Sequence, residues 1–125
     1  MEKLNILYVD DNEDLLRAFE YFAGEDHDVE TTTSPEKALK LVSLNKDYYD
    51  LIVTDLNLER RDIDGFKLAV KFREHTSVPI IMLTGDIVED LKAQEFGICK
   101  VFEKPLVRNT FIDIINYYES QRDQR

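Results

Sequence analysis

Five short, β-branched apolar runs, each divided from the next by a segment of helical period, constrain this chain more than any other feature. The runs are Leu4 to Val9, Val29 to Thr31, Leu51 to Thr54, Val78 to Leu83 and Cys99 to Phe102. Their spacing is what a strand, a helix and two short loops consume, so the strands should lie parallel in one sheet, joined by right-handed helical crossovers. Leu15, Leu16, Phe19, Phe22 and Ala23 fall on one face of a first helix, with Asn12 placed to cap it. Ser34, Pro35 and Glu36 supply the N-cap, first-turn proline and first-turn acid of a second helix carrying Ala38, Leu39 and Val42. A third helix is expected from about Asp64 to His75, with the poorest periodicity, and a fourth from about Ile87 to Phe96, ending at Gly97. The fifth carries Val107, Phe111, Ile114, Ile115 and Tyr118, and the polar stretch from Glu119 to Arg125 reads as its fraying end. The fold class is therefore α/β, a (βα)5 unit.

A chain of 125 residues that is 43% hydrophobic buries one core, and no second domain fits beside it. Lys and Arg number 16 against 26 Asp and Glu, a net charge of −10 that repels a polyanion and argues against direct nucleic-acid binding. No basic stretch leads into an apolar signal segment, and no apolar run approaches the roughly 20 residues of a membrane span. Cys99 has no second cysteine to pair with. These features point to a soluble cytoplasmic protein without membrane insertion.

In an open α/β sheet, ligands bind beyond the carboxyl ends of the strands. There the first strand ends in Asp10 and Asp11, the third in Asp55, the fourth in Thr84, and the fifth in Lys104 followed by Pro105. Three converging carboxylates repel one another and must take up protons or recruit a cation. Mg2+ suits such a site, because it takes oxygen ligands, keeps several waters and needs only one or two protein carboxylates. A carboxylate beside that ion can attack a phosphoryl group, a transfer that depends on positioning and on neutralising the phosphoryl oxygens. Asp55 is the candidate nucleophile. The Thr84 hydroxyl can donate to one phosphoryl oxygen, while the Lys104 ammonium neutralises another and pairs with Asp55 beforehand. Singly, each residue is as well explained by a turn, a strand-end cap or a solvated lysine; together, at matching strand ends, they carry chemistry.

In their order and spacing these residues resemble the response-regulator receiver family, of the chemotaxis-regulator kind: an acidic pair after strand one, an Asp closing strand three, Thr and a small residue after strand four, and Lys-Pro after strand five. The resemblance covers essentially the whole chain, residues 1–125, as a single receiver domain with no output domain. It implies a doubly wound, flavodoxin-like sheet in the order 2-1-3-4-5. It makes Asp55 the phosphoacceptor, Asp11 a direct Mg2+ ligand, Asp10 a water-mediated one, and the Asn57 backbone carbonyl a third protein ligand. It further implies that Thr84 and Lys104 read the phosphoryl group, that Gly85 leaves room for the donor, that Lys104-Pro105 is cis, and that Asn57 and Asp86 set the phosphoryl lifetime. The partners implied are a sensor histidine kinase or phosphotransfer protein, and an output partner on the face of helix four, strand five and helix five. On this reading the chain is a switch that catalyses only its own phosphorylation and dephosphorylation, and is otherwise no enzyme.

Two departures from the family pattern stand out. The stretch from Asp55 to Gly65 is about two residues longer than usual and lacks its proline, with Glu59, Arg60, Arg61 and Asp62 as extra charges that could meet a donor or partner. Three positions before Lys104, where the family carries an aromatic switch residue, stands Val101. Phe102 cannot take its place, because neighbouring strand residues face opposite sides. Three other functions compete. A pseudo-receiver would keep the fold without phosphorylation, although Asp10, Asp11, Asp55, Thr84 and Lys104 are all retained. A small phosphatase of the haloacid-dehalogenase kind would need an acid where Asn57 stands. A flavin carrier would need a phosphate loop in place of the acids after strand one.

Overall fold

The computed structural model describes residues 2–58, 60 and 62–123. Within them strands and helices alternate strictly: β1 (Asn5–Val9), α1 (Glu13–Ala23), β2 (Asp28–Thr32), α2 (Pro35–Leu44), β3 (Leu51–Thr54), α3 (Gly65–Arg73), β4 (Ile80–Thr84), α4 (Asp90–Gln94), β5 (Lys100–Glu103) and α5 (Arg108–Asp123). The strands form one parallel sheet in the order β2-β1-β3-β4-β5, the flavodoxin-like arrangement that the resemblance implied. Its register sets Ile6 against Leu51, Ile52 against Ile80, and Met82 against Val101.

Successive strand side chains point to opposite faces, and this divides the core into two layers. Ile6, Tyr8, Leu51, Val53, Ile81 and Leu83 meet α1 and α5 through Leu16, Phe19, Phe111, Ile114 and Ile115. Leu7, Val9, Ile52, Ile80 and Met82 meet α2, α3 and α4 through Ala38, Val42, Leu68, Phe72 and Ala93. Covered on both faces, β1, β3 and β4 read as continuous apolar runs, whereas the edge strand β2 alternates exposed and covered residues.

The caps follow the sequence signals. The Asn12 side chain accepts from the Asp14 and Leu15 N–H groups, Ser34 from that of Lys37, and Pro35 opens α2. The fourth helix is shorter than its expected span from Ile87 to Phe96. Residues 85–89 stay out of it because Ile87, 96% exposed, has nothing to pack on, and because Asp86 N–H is held on Thr84 Oγ1 at 3.2 Å. At the other end of the chain, Glu119 to Asp123 form the last turns of α5, Arg122 pairs with Glu2 at 2.7 Å, and Gln124 and Arg125 lie outside the described residues. Val107 precedes that helix and is exposed. Of the charges in the long loop, Glu59 and Arg61 lie outside the described residues, while Arg60 pairs with Asp62 and with Glu36 on α2. No helix among the described residues is long and apolar enough to cross a membrane.

Candidate functional site

Parallel strands all end on one side of the sheet, which brings Asp10, Asp55 and Lys104 together from three different strands. Asp10 follows β1 and is fully buried. Its Oδ1 accepts from Asn12 N–H at 3.0 Å, and its Oδ2 accepts from the Tyr8 hydroxyl at 2.6 Å and from Lys104 Nζ at 3.0 Å. Asp55 follows β3 and is 4% exposed. Its N–H continues the sheet ladder to Val9 O at 3.0 Å, its Oδ1 accepts from Leu56 N–H at 2.7 Å, and its Oδ2 accepts from Lys104 Nζ at 2.8 Å. Asp11 lies at the exposed lip, and each of the three carboxylates offers an oxygen within 4.8 Å of the others.

Lys104 therefore bridges two buried acids. Burial alone would lower its pKa, but the hydrogen bonds to Asp55 and Asp10 and the charges of both outweigh that and raise it, so the ammonium is charged at neutral pH. The Tyr8 phenol is pushed far up by burial and by the Asp10 carboxylate, which keeps it an O–H donor. The donor set is all oxygen, partly open to solvent and rich in negative charge, a fit for Mg2+.

The remaining residues frame this centre. Thr84 is buried at the end of β4, and its carbonyl accepts from Lys104 N–H at 2.9 Å. Asn57 Nδ2 donates to Asp86 Oδ2 at 2.6 Å, tying the loop after β3 to the loop after β4. Around the position of a Cβ on Gly85 there is no atom within 4 Å, and the Lys104-Pro105 bond is cis. Val101 packs toward the α2–α3–α4 layer, whereas the Phe102 ring lies on the other face, 6.0 Å from that of Tyr117. The two neighbours do occupy different environments.

Sequence reasoning passed over two residues of the site. In the sequence Tyr8 is one member of an apolar run, yet strand period places it on the same face as Asp10, two residues on. In the sequence Gly65 closes a loop motif, but a Cβ there would fall 2.2 Å from the Asp55 carbonyl oxygen. A glycine opening a helix beside the strand that ends in Asp55 is the available signal.

Comparison with known proteins adds the following. The sequence model of the response regulator receiver domain matches residues 6–116. The two-component response regulator ARR11 of Arabidopsis thaliana is 31% identical over 106 residues, covering 82% of this chain and 20% of that protein. The two-component response regulator ORR23 of Oryza sativa subsp. indica is also 31% identical, covering 97% of this chain and 18% of that protein. The chain thus spans about a fifth of the length of these curated relatives. A response regulator receiver domain protein from Clostridium thermocellum has the same fold, with a TM-score of 0.83 at 22% identity over 97% of this chain and 98% of that one.

Proposed function

The chain belongs to the response regulator receiver domain family of two-component signalling, and from that premise we propose that it is a switch accepting a phosphoryl group on Asp55. Residues 1–125 act on this reading as one receiver module. The observation that carries it is the bridging ammonium of Lys104, 2.8 Å from Asp55 and 3.0 Å from Asp10, both of them buried. An ion pair so placed restrains the nucleophile, and one of its members is free to follow new negative charge.

Response regulators interact with histidine kinases or phosphotransfer proteins, and the donor proposed here is a phosphohistidine of such a partner. Asp55 attacks the phosphorus as the donor's P–N bond breaks, while Leu56 N–H and Lys104 fix the carboxylate. Lys104 then turns to a phosphoryl oxygen, and the Thr84 hydroxyl donates to another. Asp11, Asp55 and the Asn57 backbone carbonyl would hold Mg2+ directly and Asp10 would hold it through water, and the ion would supply charge neutralisation at the phosphoryl oxygens. Asn57 and Asp86, joined across the mouth of the site, govern the access of water and so the phosphoryl lifetime. The chain catalyses only these two steps on itself, and the face built by α4, β5 and α5 passes the signal to an output partner.

Intact mass after incubation with acetyl phosphate and Mg2+ tests this reading. A single labile phosphoryl adduct is expected for the wild type, with none after EDTA and none in Asp55→Asn. An adduct that persists in Asp55→Asn, or no adduct despite demonstrable metal binding, refutes Asp55 as the acceptor.

A further inference from the structure

Between the loop that follows β4 and the edge strand β5 lies a cavity of about 270 Å³, lined by Asp86, Ile87, Val88, Val101 and Glu103. Its floor is apolar. Val88 and Val101 are half-buried against the α2–α3–α4 layer, and Ile87 stands 96% exposed at the mouth. Its rim is acidic. Asp86 and Glu103 are both exposed, and the neighbouring lysines are committed elsewhere: Lys92 to Glu95, Lys100 to Asp90, and Lys104 to Asp10 and Asp55. A dry cavity of roughly 150 Å³ already accepts a benzene ring, so this one holds a whole aromatic side chain. The chain does not fill it from within, because Val101 is short and Phe102 packs on the opposite face.

We infer that this cavity seats an aromatic side chain brought by a partner protein on a basic segment, whose Lys or Arg neighbours pair with Asp86 and Glu103. Charge selects the occupant. A second copy of this chain fits poorly, since it carries a net charge of −10 and its exposed aromatics Tyr21 and Tyr48 stand directly beside Glu20 and Asp47. The timing of occupancy rests on the receiver reading. Asp86 N–H, at the rim, is held by Thr84 Oγ1 at 3.2 Å. A Thr84 side chain that swings over to donate to a phosphoryl oxygen carries its Oγ1 away from Asp86 N–H and so reshapes the wall from Asp86 to Val88. By linkage, a peptide that prefers the reshaped wall binds the phosphorylated form more tightly.

The test is an NMR titration of the isotope-labelled chain, before and after acetyl phosphate treatment, with a dodecapeptide carrying one Phe between two Arg in a Ser/Gln background. The expected shifts cluster at Asp86 to Val88 and Val101 to Glu103. The peptide with Phe→Ala should bind about tenfold or more weakly, the one with both Arg→Glu should not bind, and Glu103→Gln in the protein should weaken binding roughly threefold. Val101→Phe, which fills the seat from within, should abolish the cluster of shifts. Equal binding of the Phe and Ala peptides to the wild type overturns the inference whether or not Val101→Phe folds well, and so do shifts confined to other faces. Self-association of the wild type through the same residues also overturns it, in favour of a second copy. Intact mass keeps the two readings apart: peptide binding at the cavity in a chain that takes no phosphoryl group supports the seat and refutes its proposed timing.

Discussion

Adding one methyl group to Gly65 tests how closely the start of α3 is built onto the strand that carries Asp55. A Cβ at that position would lie 2.2 Å from the Asp55 carbonyl oxygen, 3.0 Å from its carbonyl carbon and 2.9 Å from Met82 Cε. The methionine tip can swing away. The Asp55 carbonyl cannot, because its own residue's N–H is held on Val9 O at 3.0 Å and Gly65 N–H is held on Leu56 O at 2.7 Å. Gly65→Ala must therefore move backbone, in a place where overpacking costs typically about 1–3 kcal/mol. The helical preference of Ala over Gly offsets about 0.5–1 kcal/mol of that, which leaves a net loss of about 1 kcal/mol. Gly85→Ala is the control: no atom lies within 4 Å of its Cβ position, so it should be neutral or stabilising by up to about 1 kcal/mol. Urea unfolding followed by circular dichroism reads both variants. The yield of acetyl-phosphate adduct should also drop in Gly65→Ala, since the displaced peptide carries the Leu56 N–H that holds Asp55 Oδ1. Unfolding midpoints and adduct yields equal to wild type in Gly65→Ala would refute the close approach.

Four further outcomes are expected. Mg2+ at roughly 100 times its Kd should stabilise the native chain by about 2.7 kcal/mol, EDTA should reverse this, and Asp11→Ala should lose most of it; a Tm indifferent to Mg2+ would count against the metal site. Tyr8→Phe removes a donor from a buried carboxylate and should cost about 1.5–3 kcal/mol in urea unfolding, whereas a change within error would show the 2.6 Å contact to be idle. His27 is buried, accepts Leu4 N–H on Nδ1 at 3.1 Å, and has its pKa lowered by burial, with Asp26 and Glu119 partly opposing. The unfolded chain therefore takes the proton more readily, so this contribution to stability is full above about pH 6.5 and is lost as the pH falls below it; Tm in His27→Gln should decline less steeply between about pH 7.5 and 5.5, and parallel curves would refute the point. Finally, two charge-assisted hydrogen bonds from Thr84 and Lys104 supply about 3–6 kcal/mol against the about 5.5 needed to drive a switch from 1:99 to 99:1. Phosphorylation alone should then switch the chain only partly, and Val101→Tyr should raise the active-state population seen by NMR.

The fold was legible where one physical signal dominated. Strand period and apolar runs located all five strands to within two residues or so, and the Asn12 and Ser34 caps were visible because their side chains are the first oxygens before a periodic segment. The fourth helix was misjudged because Ile87 and Val88 look like the start of an apolar face. In the fold Ile87 points to solvent, and Asp90 spends its carboxylate on β5, accepting from Val101 N–H at 3.0 Å and Lys100 Nζ at 2.8 Å. That exchange satisfies an edge-strand donor through a partner eleven residues away, which periodicity cannot report. The contact at the end of α5 was illegible for a similar reason: Arg122 meets Glu2, at the far end of the sequence. In the site, the acids and the lysine were legible as strand ends. Their shared donor, Tyr8, was not, because a tyrosine in an apolar run gives no sign of where its hydroxyl lands.

The donors around these acids let them coexist with a stable fold and set them apart as metal ligands. No buried side-chain oxygen or nitrogen among the described residues lacks a partner. Asp10 is the most completely satisfied of the three acids, with Asn12 N–H on one oxygen and both Tyr8 and Lys104 on the other. Asp55 has one donor on each oxygen, and Asp11 is exposed at the lip. A buried carboxylate with so many donors gives up little free energy by staying as it is, whereas those with open lone pairs gain most from a cation. Asp11 is exposed, Asp55 is 4% exposed, and Asp10, held by Tyr8, is fully buried. This asymmetry supports Asp11 and Asp55 as the direct ligands and Asp10 as one that acts through water. On the proposed function the Tyr8 hydroxyl has a further consequence: Asp10 would keep a donor on Oδ2 if Lys104 turned to a phosphoryl oxygen.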